Sequence, residues 1–347
     1  MIDPVLAISL SDYWVQTAIK VGVVLAIIPA GALILGYVFL LKMMSHMQSR
    51  VGPMEAGPHG VLQLVADGVK FIQKEDIFPA RADRWVFAMA PLVVLMSTFL
   101  LYVVVPVGPT LVVEDLDIGI FFALGISSLS VLGVLMAGWA SANKYSLMGG
   151  LRAAGQLIAY ELPLIFAVVG VVIQAETLSL QGIVMAQAEG EIFGWGGIGN
   201  PFILTQFVGF ALFLVAAQAE LTQPPFDMPV AESEIVGGYQ VEYTGFRFLL
   251  FFIGEFGTAF AFAAIGATLF LGGWYLPGMD VTGGLFSNVL GPLVLFAKIM
   301  LVAFIIFWVR FTYPRLREDQ LQSFAWKYLI ELSLLNIFVT AVFKVVF

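Results

Sequence analysis

Eight stretches of this chain are long and apolar enough to cross a bilayer, and their spacing constrains what the rest can do. A hydrocarbon layer of about 30 Å takes about 20 residues of helix, since a helix satisfies its own backbone donors and acceptors in lipid. The stretches run roughly over Thr17–Met44, Trp85–Val107, Ile118–Ala142, Leu157–Gln174, Phe202–Ala217, Phe248–Leu271, Val289–Phe311 and Tyr328–Val346, the fourth within a helix that starts near Ser146. The chain is 60% hydrophobic and 12% charged with a mean hydropathy of +0.97, whereas a soluble domain is about 25% charged. The expected fold is an all-α polytopic membrane protein, a single transmembrane domain over residues 1–347. No tandem repeat, low-complexity segment or separate soluble domain is visible.

The chain has no cysteine, which excludes disulfides, thiolate chemistry and iron–sulfur ligation by its own residues. Its two histidines, His46 and His59, are too few for a self-contained haem or metal centre of the usual type. Any redox centre therefore belongs to a partner. A formal charge of −8 argues against nucleic acid. The first apolar block has no basic region before it, so no cleavable signal peptide is expected.

The cations set the orientation. Of sixteen Lys and Arg residues, thirteen lie in or beside four alternate connectors: Lys42, Arg50, Lys70, Lys74, Arg81 and Arg84; Lys144 and Arg152; Arg247; and Arg310, Arg315, Arg317 and Lys327. The opposite connectors carry Glu114, Asp115, Asp117, Glu176, Glu189, Glu191 and Asp280 and no cation. The positive-inside rule then predicts that the first set faces the cytoplasm and both termini face outward, in a bacterial inner membrane.

In the first of the basic connectors, Arg50–Gly60 contains two Gly-Pro steps and reads as a shaped loop. The stretch Val61–Lys74 follows. Gln63, Asp67, Lys70 and Lys74 recur at helical intervals on one side and Val61, Val65, Val69 and Ile72 on the other, which predicts an amphipathic helix along the membrane surface.

The connector Gln218–Arg247 carries Glu220, Asp227, Glu232, Glu234 and Glu242, answered within it by Arg247 alone. Such a segment is either a solvated loop or a proton-handling one. Charge inside a span is costly and marks function by default. Glu161 stands two residues before Pro163 in the fourth span, Glu255 is flanked by glycines in the sixth, Lys298 lies in the seventh and Glu331 near the end of the eighth. These groups either pair across helices, as Glu255 and Lys298 could, or line a hydrated path. Arg152, Gln156 and Tyr160 recur every four residues and share a helical face. That face suits an oxygen-bearing headgroup or the acids of the later connector. The arginine-rich loop Arg310–Gln320 suits the same acids, because guanidinium pairs carboxylate bidentately.

Gln218–Tyr243 (QAELTQPPFDMPVAESEIVGGYQVEY) resembles the acidic signature of a membrane-subunit family of respiratory complex I, the NuoH family found at the foot of the peripheral arm. Gly57–Lys70, Gly138–Leu147, Arg152–Glu161 and Tyr313–Lys327 match in the same order, so the resemblance covers Lys42 to Lys327. It implies eight transmembrane helices and a surface helix that, with peripheral subunits, wall a quinone chamber opening to the lipid. The implied carboxylate path comprises Glu161, Glu220, Asp227, Glu232, Glu234, Glu242 and Glu255. The implied chamber and mouth residues are Arg50, Asp67, Lys70, Arg152, Gln156, Arg310, Arg315 and Arg317. Implied too are quinone as substrate, FMN and iron–sulfur clusters only in partner subunits, and proton translocation coupled to quinone reduction. The chain departs from the pattern at Leu40, Leu41, Met54, Leu64, Gln223 and Val230, which touches the chamber mouth more than the acidic path. Two alternatives stand beside this reading: the homologous membrane component of a ferredoxin- or hydrogenase-linked complex, and a proton-coupled secondary transporter.

Overall fold

A computed structural model describes residues 13–190, 199–281 and 284–346; Glu191 lies outside them. Among the described residues, seven helices are long and apolar enough to span a membrane: α1 (Tyr13–Met47), α3 (Arg84–Val103), α4 (Gly119–Ala140), α5 (Lys144–Ala175), α8 (Gly245–Phe270), α9 (Leu285–Thr312) and α10 (Glu318–Val346). The surface helix α2 covers Gln63–Gln73, α6 covers Leu180–Glu189, and α7 covers Phe207–Glu220.

The fifth expected span is α7, shorter than the apolar stretch suggested. Its 14 residues reach about 21 Å. Residues 199–206 before it are non-helical, and their backbone is satisfied from the side. Asn200 and Ile203 amides donate to the Gln187 and Phe270 carbonyls, and the Phe202 amide donates to Gln187 Oε1. Irregular backbone at membrane depth survives where protein supplies such partners.

Connector contacts show how the helices alternate. At one end, the Asp83 amide donates to Ala140 O, Thr244 Oγ1 to Glu75 O, and the Leu316 amide to Pro225 O, so all four basic connectors meet. At the other end, Lys20 pairs with Glu114 at 3.4 Å, Ser179 bonds Asp115, Thr110 bonds Asn288, and Lys344 pairs with Glu176 at 3.0 Å. The short α7 carries the chain between these ends, starting beside Phe270 and finishing beside Gln156.

Helix α8 is the central post. Its buried face includes Phe251, Phe256, Ala259, Ala263 and Phe270, and it packs against α1, α3 and α9. Gly257 makes the approach to α1 and α3 close: a Cβ there would lie 3.0 Å from Ile28 Cγ2 and 3.1 Å from Thr98 Cγ2. Helix α2 starts two residues later than its periodicity suggested and keeps Val65, Val69 and Ile72 exposed, with Val61 exposed in the turn before it, as a helix lying on a bilayer requires.

Candidate functional site

The connector after α7 folds back onto the bundle because apolar residues alternate with its acids. Phe226, Met228, Ala231, Ile235, Tyr239 and Tyr243 are all buried. Tyr243 stacks on Phe87 with centroids 4.0 Å apart and donates to the Phe87 carbonyl at 3.1 Å; Tyr239 meets Phe251 edge-on. The crossing over α5 depends on two glycines. Gly238 has φ +57°, and a Cβ on Gly149 would sit 2.6 Å from Gly238 Cα. The acids are thus carried on a backbone fixed by packing.

The outermost acid is the best paired. Arg152 Nη1 donates to Glu234 Oε2 at 2.7 Å, while Arg315 Nη1 lies 3.7 Å from Oε1 and 3.1 Å from Ser233 Oγ. The hydrogen bond from Arg152 holds the Glu234 carboxyl below its usual range, and Arg315 adds to this. Arg152 also approaches Glu318 at 3.6 Å, so α5, the connector and the arginine loop are tied at one point. Glu232 shares the one-turn helix Glu232–Ile235 and stays exposed.

Deeper in, Asp227 is half-buried. Burial pushes its carboxyl up to about 6; Arg315 and Arg310 pull it down, and Glu255 and Glu232 push it up. One residue thus feels both the arginine loop and the acid of α8. Burial, and then the charge of Glu255, also hold the Tyr239 hydroxyl above its ordinary value.

At the next level Gln223 joins two charged groups. It accepts from Arg310 through its carbonyl oxygen and donates through Nε2 to Glu255 Oε1 at 2.6 Å. Arg310 itself stands 3.8 Å from Glu255 and is walled by Phe256, Phe307 and Phe311. Beside this triad lies a cavity of about 50 Å³, lined by Glu220, Glu255, Tyr239, Thr222 and Thr258 among others. That is room for one or a few waters. Thr98 and Thr258 hydroxyls are 2.8 Å apart at its edge. Glu220 is buried with Oε2 unpartnered, and Glu161 on α5 is near enough to repel it.

Other expected site residues are placed differently. Gln156 does not face an open chamber. It is buried, and Nε2 donates to the Ala219 and Phe226 carbonyls at 2.7 Å each, stitching the end of α7 to the connector. Glu242 accepts from Asn143 at 2.6 Å, apart from the Glu234 cluster. Arg317 pairs locally with Asp319 at 2.6 Å, and Arg50 with Gln48 at 2.8 Å; neither reaches the acids. Lys298 does not pair with Glu255 but donates to the Gly273 and Tyr275 carbonyls. Tyr160 donates to the Leu321 carbonyl and Glu331 is exposed. Sequence reasoning noticed Gln223 only as a departure and missed Asn143, Tyr239 and the threonine pair.

A groove of about 740 Å³ opens between α1, α2 and α8. Its wall is apolar, and Asp67, Lys70 and Lys74 are its charged residues, with Asp67 and Lys70 3.5 Å apart. Leu40, Leu41 and Leu64, three of the departures, lie on this wall.

Fold and site together define a polytopic helical membrane protein with a carboxylate–arginine network sunk into one end. A family model described as NADH dehydrogenase matches residues 19–341. The H subunit of NADH-quinone oxidoreductase from Brevibacillus brevis is 45% identical over 318 residues, 90% of each chain. The H subunit of Anoxybacillus flavithermus is 42% identical over 96% of each chain. One of the H subunits of Syntrophobacter fumaroxidans is 45% identical over 92% of this chain and 93% of its own. The chain belongs to the H-subunit family of NADH-quinone oxidoreductase, membrane components of the respiratory complex I enzyme.

Proposed function

We propose that this subunit couples quinone reduction to proton movement, with the quinone isoprenoid tail entering through the groove between α1, α2 and α8. The apolar wall suits a prenyl chain, and Asp67 and Lys70 sit where a polar headgroup would leave the bilayer surface. Leu40, Leu41 and Leu64 add to the apolar wall of this mouth. Peripheral-arm subunits bring the iron–sulfur cluster that reduces the headgroup and cover the connector face, which is the cytoplasmic one by its cations.

The observation that carries the proposal is the continuity of the ionisable groups. Glu234, Asp227, Glu255 and Glu220 lead from the exposed connector to a pocket with room for water inside the bundle, with Arg152, Arg315, Arg310 and Gln223 between them. Glu161 extends the series into α5. Reduction to quinol calls for two protons and changes the charge beside the outer acids. Closely coupled carboxylates answer such a change as a set, so the event is felt at Glu255. Glu232, exposed, and Glu242, half-buried beside Asn143, serve as acceptors of incoming protons.

The test is Glu255→Gln and Glu234→Gln in the assembled complex. Both are expected to lower NADH-driven quinone reduction and proton pumping at least about tenfold, since a positioned proton-transfer group contributes roughly 100-fold or more. The complex should still assemble. Full coupled activity in both variants overturns the path.

A further inference from the structure

Three cations cluster at the connector end of the α3–α4 pair and take no part in the acid–arginine network. Arg81 precedes α3, Arg84 begins it, and Lys144 begins α5 directly after the α4–α5 link; all three are exposed. Arg81 and Lys144 line an open recess of about 610 Å³ together with Pro79, Ser141 and Asn143. The cations have no ion-pair partner among the described residues, Lys144 resting only over the Tyr145 ring. The nearby acids are already engaged. Asp83 turns its carboxylate onto the amides of Trp85 and Val86, and Glu242, at the recess wall, accepts from Asn143.

Below the cations the two helices present an exposed apolar wall. Trp85 is 83% exposed and Trp139 73%, one in the first turn of α3 and the other in the last turn of α4. Exposed Met89, Leu92 and Met96 continue from Trp85 at helical spacing, and exposed Leu132 and Leu129 continue from Trp139. Trp85 to Met96 is eleven steps, about 16 Å, which matches an acyl chain reaching towards the bilayer centre. Paired tryptophans at headgroup depth are anchors of the interface, and a basic recess between helix ends recognises an acidic headgroup.

We infer that this recess holds an anionic phospholipid, its phosphate among Arg81, Arg84 and Lys144 and its chains along the Trp85 and Trp139 stripes. Zwitterionic lipids have the same tails but bring an ammonium to an already positive recess. Electrostatic attraction of this kind is worth roughly fivefold per cation, so neutralising three weakens retention on the order of 100-fold.

The experiment uses the detergent-solubilised complex, with phosphatidylglycerol as the probe and phosphatidylcholine as the comparison, read by native mass spectrometry. The unmodified complex is expected to keep phosphatidylglycerol at this subunit in preference to phosphatidylcholine. The triple variant Arg81→Gln, Arg84→Gln, Lys144→Gln should lose that preference while assembling and turning over normally, and Arg81→Lys with Arg84→Lys should keep it. Equal retention of both lipids, or unchanged phosphatidylglycerol retention in the triple variant, overturns the inference. So does loss of a neighbouring subunit from the triple variant, because the face would then be a protein contact.

Discussion

Asp227 offers the most direct reading of the network, because its shift is large and its four charged contributors have known signs. Its carboxyl moves from 3.8 to about 6. Two units correspond to about 3 kcal/mol favouring the neutral form, an upper figure for a group still partly in contact with water. The fold therefore resists ionising Asp227, and that cost appears as pH rises from 3.8 to about 6 and is complete above it. At pH 7 about one molecule in ten still carries the proton. Infrared difference spectroscopy of the purified complex, titrated between about pH 5 and 7, should show a protonated-carboxyl band fading with a midpoint near 6. Asp227→Asn should remove it. Arg315→Gln, which deletes the strongest downward pull, should move the midpoint up, and Glu232→Gln should move it down. A band that Asp227→Asn leaves intact, or a midpoint that moves the same way in both neighbours, refutes the coupling.

Three further outcomes follow from the packing. Gly149→Ala would drive a methyl into the Gly238–Tyr239 backbone, 2.6 Å away; overpacking of this kind costs about 1–3 kcal/mol and should reduce the level of assembled complex on native gels. Gln156→Leu leaves the Phe226 carbonyl buried without its donor and the Ala219 carbonyl with the Thr222 backbone amide, a loss of about 1–3 kcal/mol, and should lower the complex's thermal midpoint without changing its lipid content. Leu64→Trp narrows the groove at its wall and should raise the KM for a long-chain quinone several-fold while leaving that for a short-chain analogue nearly unchanged.

The sequence made the architecture readable where a pattern repeats. Apolar length located the helices, and cation asymmetry predicted connectors that do meet at one end. α7 was misjudged in extent because Phe202–Thr205 is as apolar as a helix but is held by Gln187 and Phe270 instead. Pairing was less legible than placement. The density of arginine after α9 pointed to the acids, and Arg315 reaches Glu234, but Arg317 is captured by Asp319 two residues along. Lys298 and Glu255 lie on packed neighbouring helices but at different depths: Arg310, about 18 Å further along α9, is the cation level with Glu255, and Lys298 meets carbonyls beyond the far end of α8. The amides were visible as positions, Gln156 on a face with Arg152 and Tyr160 and Gln223 as a departure, but their partners were not. Gln156 and Gln223 hold the connector together through hydrogen bonds that have neither period nor charge to announce them.

The shortness of α7 means that helix alone does not carry this crossing. About 21 Å of a layer about 30 Å thick is helical, and the remaining depth falls to residues 200–206, where the Asn200, Phe202 and Ile203 amides are held by Gln187 and Phe270. The insulation along this crossing therefore rests on a side chain and carbonyls lent by α6 and α8, and removing one of them leaves a polar backbone group unpaired in a low-dielectric setting. Glu220, the last residue of the helix, is set at its depth by that borrowed support.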